Sequence, residues 1–315
     1  MTHGNDRSRE PDTAYSLSVV VVILAGGVYI PRCLRALDRQ EGVGPIEIIV
    51  PYDDTLPEVE ALRGEFPRVR FLKLEGTQTY AQLRAKGFQA AAGDVLALTE
   101  DHCSPDPDWC ARILDLHGQG HAAVGGAVDK TGSDSLLNWA IYLNDFGRYM
   151  NPVPEGPAPY LTDCNVSYKR SALEELAELW REEFHETTVN WALQDRGASL
   201  WLSPGVIVRQ QRTLTFGYAM RERYSFGRLF ASTRVAATST AKRVVYSALS
   251  PALPAIIVGR VVRNVAAKRR GVGKFLLSLP HLLLLALVWS YGEFVGYVTG
   301  SATTPPPRVG HTAGH

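Results

Sequence analysis

The chain has 315 residues, 45% of them hydrophobic, which is enough for a sizeable core and excludes wholesale disorder. Its 28 glycines and 19 prolines exclude a collagen-like chain, and its four cysteines (Cys33, Cys103, Cys110, Cys164) contain no CxxC pair, which argues against a disulfide scaffold or a zinc ribbon. The formal charge of +1 hides an asymmetry: residues 1–222 hold 21 Lys+Arg against 31 Asp+Glu, and residues 223–315 hold 12 against one acid, Glu293. A basic end on an acidic body suits a polyanionic partner, either nucleic acid or an anionic membrane.

Residues 1–15 are polar and read as a flexible tail without the apolar core of a signal peptide. Leu17–Leu24 is a continuous apolar run ending before Gly26-Gly27 and reads as a buried strand. Ile30–Gln40 has helical spacing, Ile46–Val50 reads as a second strand, Leu56–Phe66 as a helix and Val69–Leu74 as a third strand. Tyr80–Ala92 reads as a helix, Asp94–Thr99 as a fourth strand and Asp108–His117 as a further helix. Doubly buried strands alternating with helices predict an α/β fold, a mostly parallel sheet with helices on both faces. Ligands of such sheets bind outside the carboxyl ends of the strands. Farther on, Gly125-Gly126 interrupts an apolar run, Leu136–Tyr149 reads as an aromatic helix and Asn151–Pro159 as a loop or lid. Ser171–Trp180 and Thr187–Arg196 read as helices and Ser199–Val208 as strand pieces.

The basic end carries two apolar stretches. Val244–Gly259 contains Pro251 and Pro254 and is short for a span, so it is expected in the membrane interface. Phe275–Gly292 has 18 residues without a charge and is the candidate to cross. Six cations and no acid lie between Arg260 and Lys274, a pattern that attracts anionic lipid head groups. Apolarity thus favours membrane lipids over nucleic acid as the partner. The division expected is a tail over 1–15, a catalytic part over 16–235, a helical membrane-associating region over 236–299 and a flexible tail over 300–315.

Chemistry gathers at Thr99-Glu100-Asp101-His102, where the fourth strand ends. Carboxylates beside an imidazole suit Mg²⁺ or Mn²⁺ carrying a diphosphate. The same residues also fit a solvated acidic turn ahead of the Asp108 helix. Arg221-Glu222-Arg223-Tyr224 with Gly227-Arg228 offers guanidinium forks for a phosphate, or the polar face of a helix lying on a membrane.

Taken together, Ser18 through Arg223 resembles the family-2 glycosyltransferases of GT-A fold. The resemblance rests on Ser18-Val19-Val20-Val21 with Cys33-Leu34 behind, Glu47-Ile48-Ile49-Val50 leading to Asp53-Asp54, and Leu83-Arg84-Ala85-Lys86-Gly87 followed by Ala91-Ala92-Gly93-Asp94. It continues through Glu100-Asp101-His102 at the D-x-D position, Pro105-x-Pro107-x-Trp109, and Asn165-x-Ser167-Tyr168-Lys169-Arg170. It departs at Val22-Ile23-Leu24-Ala25 in place of P-T-Y-N, at Tyr52 for the first Asp of the acidic turn, at His102 for a carboxylate and at Gln210 for a His.

The resemblance implies an inverting, membrane-associated transferase using a nucleoside-diphosphate sugar and Mg²⁺ or Mn²⁺, and no nucleic acid. Asp53, Arg84, Glu100 and Asp101 would contact the donor, and Asp101 and His102 the metal. Counting back from Gly197 places Glu186 on the family's general base. Asn165, Arg223 and Arg228 would meet the acceptor or a phosphate. The acceptor would be a lipid-linked or glycan hydroxyl or phosphate, met at the cytoplasmic face by a peripheral or single-span protein. A catalytically inactive, membrane-tethered nucleotide-sugar-binding protein and a nucleotidyltransferase are the alternatives; the latter would want a Gly-rich phosphate loop that Gly26-Gly27 scarcely provides.

Overall fold

The computed structural model describes residues 15–235 and 239–300; the two expected tails lie almost wholly outside them. The core is one mixed sheet. β1 (Leu17–Val22) is buried on both faces and sits parallel between β2 (Glu47–Asp53) and β4 (Val95–Glu100), with β3 (Val69–Leu74) outside β2. Beyond β4 the direction changes. β8 (Asn165–Lys169) runs antiparallel to β4 and to β6 (Ala123–Lys130). β9 (Leu200–Gln210) runs parallel to β6 and carries β5 (Cys103–Pro105) and the two-residue β7 (Gly156–Pro157) on its far side. The strand order is β3-β2-β1-β4-β8-β6-β9-β5. The mostly parallel first half therefore holds, with helices α1 (Ile30–Asp38), α2 (Tyr80–Ala90) and α3 (Trp109–Gly118) between strands.

Three local readings change. Leu56–Phe66 is a 3₁₀ segment, Pro57–Arg63, in which only Val59 is buried, too thin an apolar stripe to hold an α-helix against the sheet. Gly125 and Gly126 do not break a run but lie inside β6. A Cβ on Gly126 would fall 1.8 Å from the Val206 carbonyl, so glycine lets β9 bulge against β6 at this point. Ser199–Val208 is not a set of pieces but most of one long strand, β9, which reaches the ligand edge at Gln210. α4 (Leu136–Phe146) is the expected aromatic helix, and the next helical stretch splits into α5 (Arg170–Glu174) and α6 (Ala177–Trp180) before α7 (Glu186–Asp195).

The described residues end in four α-helices: α8 (Phe216–Val235), α9 (Thr240–Leu249), α10 (Leu253–Lys268) and α11 (Val272–Thr299). Two stretches, Thr240–Lys268 and Val272–Thr299, are long and apolar enough to cross a membrane by length and composition. The first outgrows the expected Val244–Gly259 because Pro251 and Pro254 sit in a 3₁₀ link and the start of α10, where proline costs little, and α10 then runs on past Arg260. α11 packs along α8 and also touches α4, α9 and α10. Glycines permit the approach: a Cβ on Gly292 would lie 2.3 Å from the Tyr224 carbonyl, and one on Gly227 2.4 Å from that of Trp289. The expected basic cluster is partly drawn onto the sheet-bearing part, beside β6 and α4. Arg270 bonds Asp129 Oδ1 and the Asn151 carbonyl, both at 2.9 Å, Lys274 pairs with Asp134, and Lys268 donates to the Met150 and Pro152 carbonyls.

Candidate active site

The strand ends meet where the topology changes direction, at β1, β4 and β8. Asp101 follows β4 and turns its carboxylate to the backbone N–H groups of Leu24 (3.0 Å) and Ala25 (3.2 Å), fixing the end of β1. Its own N–H donates to the Val22 carbonyl. The apolar Val22–Ala25 segment, with no side-chain donors, is thus held by the expected donor and metal residue itself. Asp53 is similarly engaged: it is fully buried and accepts from Thr55 N–H, Thr55 Oγ1 and Gln78 N–H, closing the turn after β2. Both carboxylates shape the edge on which a donor would lie.

Arg84 organises the centre. It projects from α2, whose start is fixed by a Thr79/Gln82 capping box. Its guanidinium lies 2.5 Å from Asp163, 3.3 Å from Glu100 and 3.7 Å from Glu186. The four residues come from four separate segments, and Arg84, Glu100 and Glu186 were all expected at the site. Asp163 was missed, although it stands two residues before the quoted Asn165 segment. Glu186 is the first residue of α7, where the helix dipole favours a carboxylate, and it accepts from Thr187 Oγ1 at 2.9 Å. His185 faces away to Glu183 and is largely exposed.

The crowding of acids shifts their protonation. Burial pushes Glu100 up to about 7, Asp163 adds to the rise, and His102 and Arg84 oppose it. Burial also raises Glu186, with Asp163 adding and Arg84 opposing. Burial works against the charge of Arg84, but Asp163, Glu100 and Glu186 outweigh it. A carboxylate lifted above its ordinary range and held by one guanidinium is suited to taking a proton.

His102 closes the other side, with Nε2 at 3.4 Å from Glu100 and Nδ1 at 3.4 Å from Asp101. Among the described residues, Glu100, His102 and Cys103 can bring one donor atom each within 4.8 Å of the others. Burial pushes the Cys103 thiol well up, which disfavours the thiolate a metal needs. Glu100 and His102, an oxygen and an imidazole, are therefore the fitting pair for a divalent cation, while the oxygens of Asp101 are already turned to the β1 backbone.

A cavity of about 690 Å³ opens from Glu100, His102 and Asp163. Near the cluster it is polar. Arg212 pairs with Glu222 at 2.6 Å and Arg223 forks onto Asp145, and the Nε of each of these arginines, like that of Arg84, is buried without a hydrogen-bond partner. Farther out the walls are Phe226, Phe230, Ile256, Ile257 and Trp289, contributed by α8, α10 and α11. Arg223 is thus beside the cavity as expected, in a pair with Asp145 that sequence reasoning did not foresee. Arg228 lies on the same helix, where its backbone meets Gly296 of α11, and is not among the cavity walls. Asn165 is a correction: it is fully buried, its Oδ1 accepts from Trp109 Nε1 and its Nδ2 donates to the Ala127 and Val206 carbonyls, so it locks β8 to its neighbours. Nothing in the local sequence around Asp145 or Arg212 distinguishes them, and the partner of Asp145 lies 78 residues away.

The model of the family described as glycosyl transferase family 2 matches residues 18–177, half of the chain. EpsH of Bacillus subtilis, described as a glycosyltransferase, is 25% identical over 139 residues, covering 43% of this chain and 37% of EpsH. The glucosyl-dolichyl phosphate glucuronosyltransferase of Haloferax volcanii is 26% identical over 89 residues, 27% of this chain and 28% of that enzyme. The chain thus spans about a third of the length of these curated relatives. Among solved structures, the mannosyltransferase PcManGT of Pyrobaculum calidifontis, in complex with GDP-Man and Mn²⁺, matches over 93% of this chain and 90% of its own at 16% identity, with a TM-score of 0.54. That likeness is one of fold, of the GT-A type.

Proposed function

Since the chain belongs to glycosyl transferase family 2, we propose that it moves a sugar from a nucleoside-diphosphate sugar to a lipid-linked acceptor, with inversion at C1, at the cytoplasmic face of a membrane. The observation that carries this is the cavity: one end opens from Glu100, His102 and Asp163, whose carboxylates meet the Arg84 that also reaches Glu186 behind them, and the other is lined by Phe226, Phe230, Ile256, Ile257 and Trp289, in part from the two helices of membrane-like composition. A water-soluble donor and an apolar acceptor would meet between those ends. The names of two relatives support the same classes: one is described in complex with GDP-Man and Mn²⁺, the other as acting on a glucosyl-dolichyl phosphate.

In this reading the acceptor hydroxyl lies against Glu186, which takes its proton as C1 is attacked from the face opposite the leaving diphosphate. Arg84 holds the carboxylate in place and keeps a counter-charge beside the three acids. Glu100 and His102 would hold Mg²⁺ or Mn²⁺, which supplies charge neutralisation for the diphosphate. Arg212 and Arg223 line the cavity, and their guanidinium groups place positive charge there for phosphate oxygens.

Glu186→Gln tests the assignment. It keeps the shape but not the base, so transfer should fall by about 10²–10⁴-fold. The thermal shift produced by nucleotide sugars with Mn²⁺ should stay near that of the parent. Full turnover in the variant removes Glu186 from the chemistry. Absence of any thermal shift across a panel of nucleotide sugars, with and without Mn²⁺, removes the donor class.

A further inference from the structure

We propose that α11 lies along the surface of an anionic bilayer, embedded in one leaflet, instead of crossing it. This deepens the membrane placement proposed above and rests on it. By length the helix could cross: 28 residues rise about 42 Å at 1.5 Å each, more than a hydrocarbon core of about 30 Å. Its two faces, however, have different surroundings. The outward stripe runs through Leu276, Leu283, Leu287, Tyr291, Phe294 and Val298, one gap of seven and then gaps of three or four along one face, and it is exposed, with Leu276 at 60% and Tyr291 at 62%.

The inward face is fastened to a charged helix. Gly227, Gly292 and Gly296 bring the backbones of α8 and α11 together, a Cβ on Gly296 falling 2.6 Å from the Arg228 carbonyl. α8 also carries Glu222 and Arg223, buried in their pairs with Arg212 and Asp145. Were α11 to cross, α8 and these charge pairs would be carried into hydrocarbon, where charged side chains are costly.

Both ends of α11 are held by contacts outside it. At its start, Lys274 pairs with Asp134 and Arg270 with Asp129, residues beside β6 and α4. At its end, the Arg243 guanidinium of α9 donates to the carbonyls of Tyr297 and Val298. A crossing helix would need its ends on opposite sides of the membrane, whereas the start of α11 is held beside β6 and α4 and its end lies on α8, where a Cβ on Gly296 would meet Arg228 and Ala231. The charge around the face identifies the occupant. Lys242, Arg263 and Arg269 are exposed on α9, on α10 and at its end, and the one acid of residues 223–315, Glu293, is turned inward onto Trp289 Nε1. An apolar stripe on a helical region whose exposed charges are cations, with Asp134 at the start of α11 already paired to Lys274, is complementary to an anionic lipid surface. The cavity walls Ile256, Ile257 and Trp289 lie on α10 and α11, so a leaflet on this face adjoins the apolar end of the cavity.

The experiment uses the full chain. A cysteine in place of Arg269 and, separately, one appended after His315 report the two ends of α11, because the four native cysteines are buried. A membrane-impermeant maleimide should label both in inverted vesicles and neither in intact spheroplasts; any difference in sidedness between the two overturns the proposal. Flotation supplies a second reading. Vesicles with about 30% phosphatidylglycerol should bind the protein at least tenfold better than pure phosphatidylcholine, and the double variant Leu276→Gln, Leu287→Gln should lose at least tenfold of that binding while its melting temperature holds. Unchanged binding in the variant, or pairing of two copies through this face without vesicle binding, also overturns it. Neither reading depends on turnover, so failure here leaves the transfer chemistry standing, and loss of transfer leaves the seating standing.

Discussion

Arg84 is a single cation among three carboxylates, and that ratio sets the behaviour of the site. With Asp163 at 2.5 Å it is most strongly committed away from Glu186, which lies at 3.7 Å. Burial first, and Asp163 second, raise Glu186 above the ordinary glutamate range. A raised carboxylate pKa means that, if Glu186 is the proposed base, its ionised form appears only at higher pH, so the acid limb of the pH–kcat profile should lie above that range. Asp163→Asn removes the second cause and frees Arg84 for Glu186, and both changes lower the pKa of the base. The acid limb should therefore move to lower pH in this variant. An unmoved limb, or one moved upward, would show that Asp163 does not act on the base.

At the scale of elements, the α8–α11 contact depends on glycine. Gly292 has no room for a side chain, since a Cβ would lie 2.3 Å from the Tyr224 carbonyl, a backbone atom that cannot step aside alone. Gly292→Val should force the helices apart and cost about 1–3 kcal/mol. Gly259 on α10 has nothing within 4 Å of the same construction, so Gly259→Ala should be neutral or stabilising by up to about 1 kcal/mol. Denaturant midpoints of the two variants decide the matter. Equal midpoints would mean that the packing of α11 on α8 contributes little. The strands show the same dependence on small residues, with Gly126 admitting the bulge of β9 that sets Gln210 at the cavity.

For the whole molecule, the C-terminal helices are cover as well as contact surface. α11 packs on α4 and α8, and the basic link between α10 and α11 fastens to Asp129 and Asp134. Removing residues from 240 onward would uncover those faces and the apolar half of the cavity. The truncated protein should therefore leave membranes and, in addition, unfold at lower temperature and aggregate more readily than the full chain in detergent. A truncated protein that stays monomeric with an unchanged melting temperature would make the helices a detachable anchor.

The sequence by itself determined the sheet-and-helix alternation from Leu17 to Gly118, because strands buried on both faces leave continuous apolar runs that need no partner to be read. It also marked Arg84, Glu100, His102 and Glu186, because strand ends and helix starts are local features and the family's motifs fall on them. Tertiary structure decided the rest, since the remaining questions were ones of pairing. Asp101 and Asn165 carry motif positions, yet their side chains serve backbone groups 77 and 38 or more residues distant. Asp163 became part of the site only when β8 was laid beside β4. Length and apolarity alone made α11 a candidate to cross a membrane; whether one of its faces is already occupied, and by a charged helix, depends on residues some 65 positions earlier that no local pattern in α11 reveals.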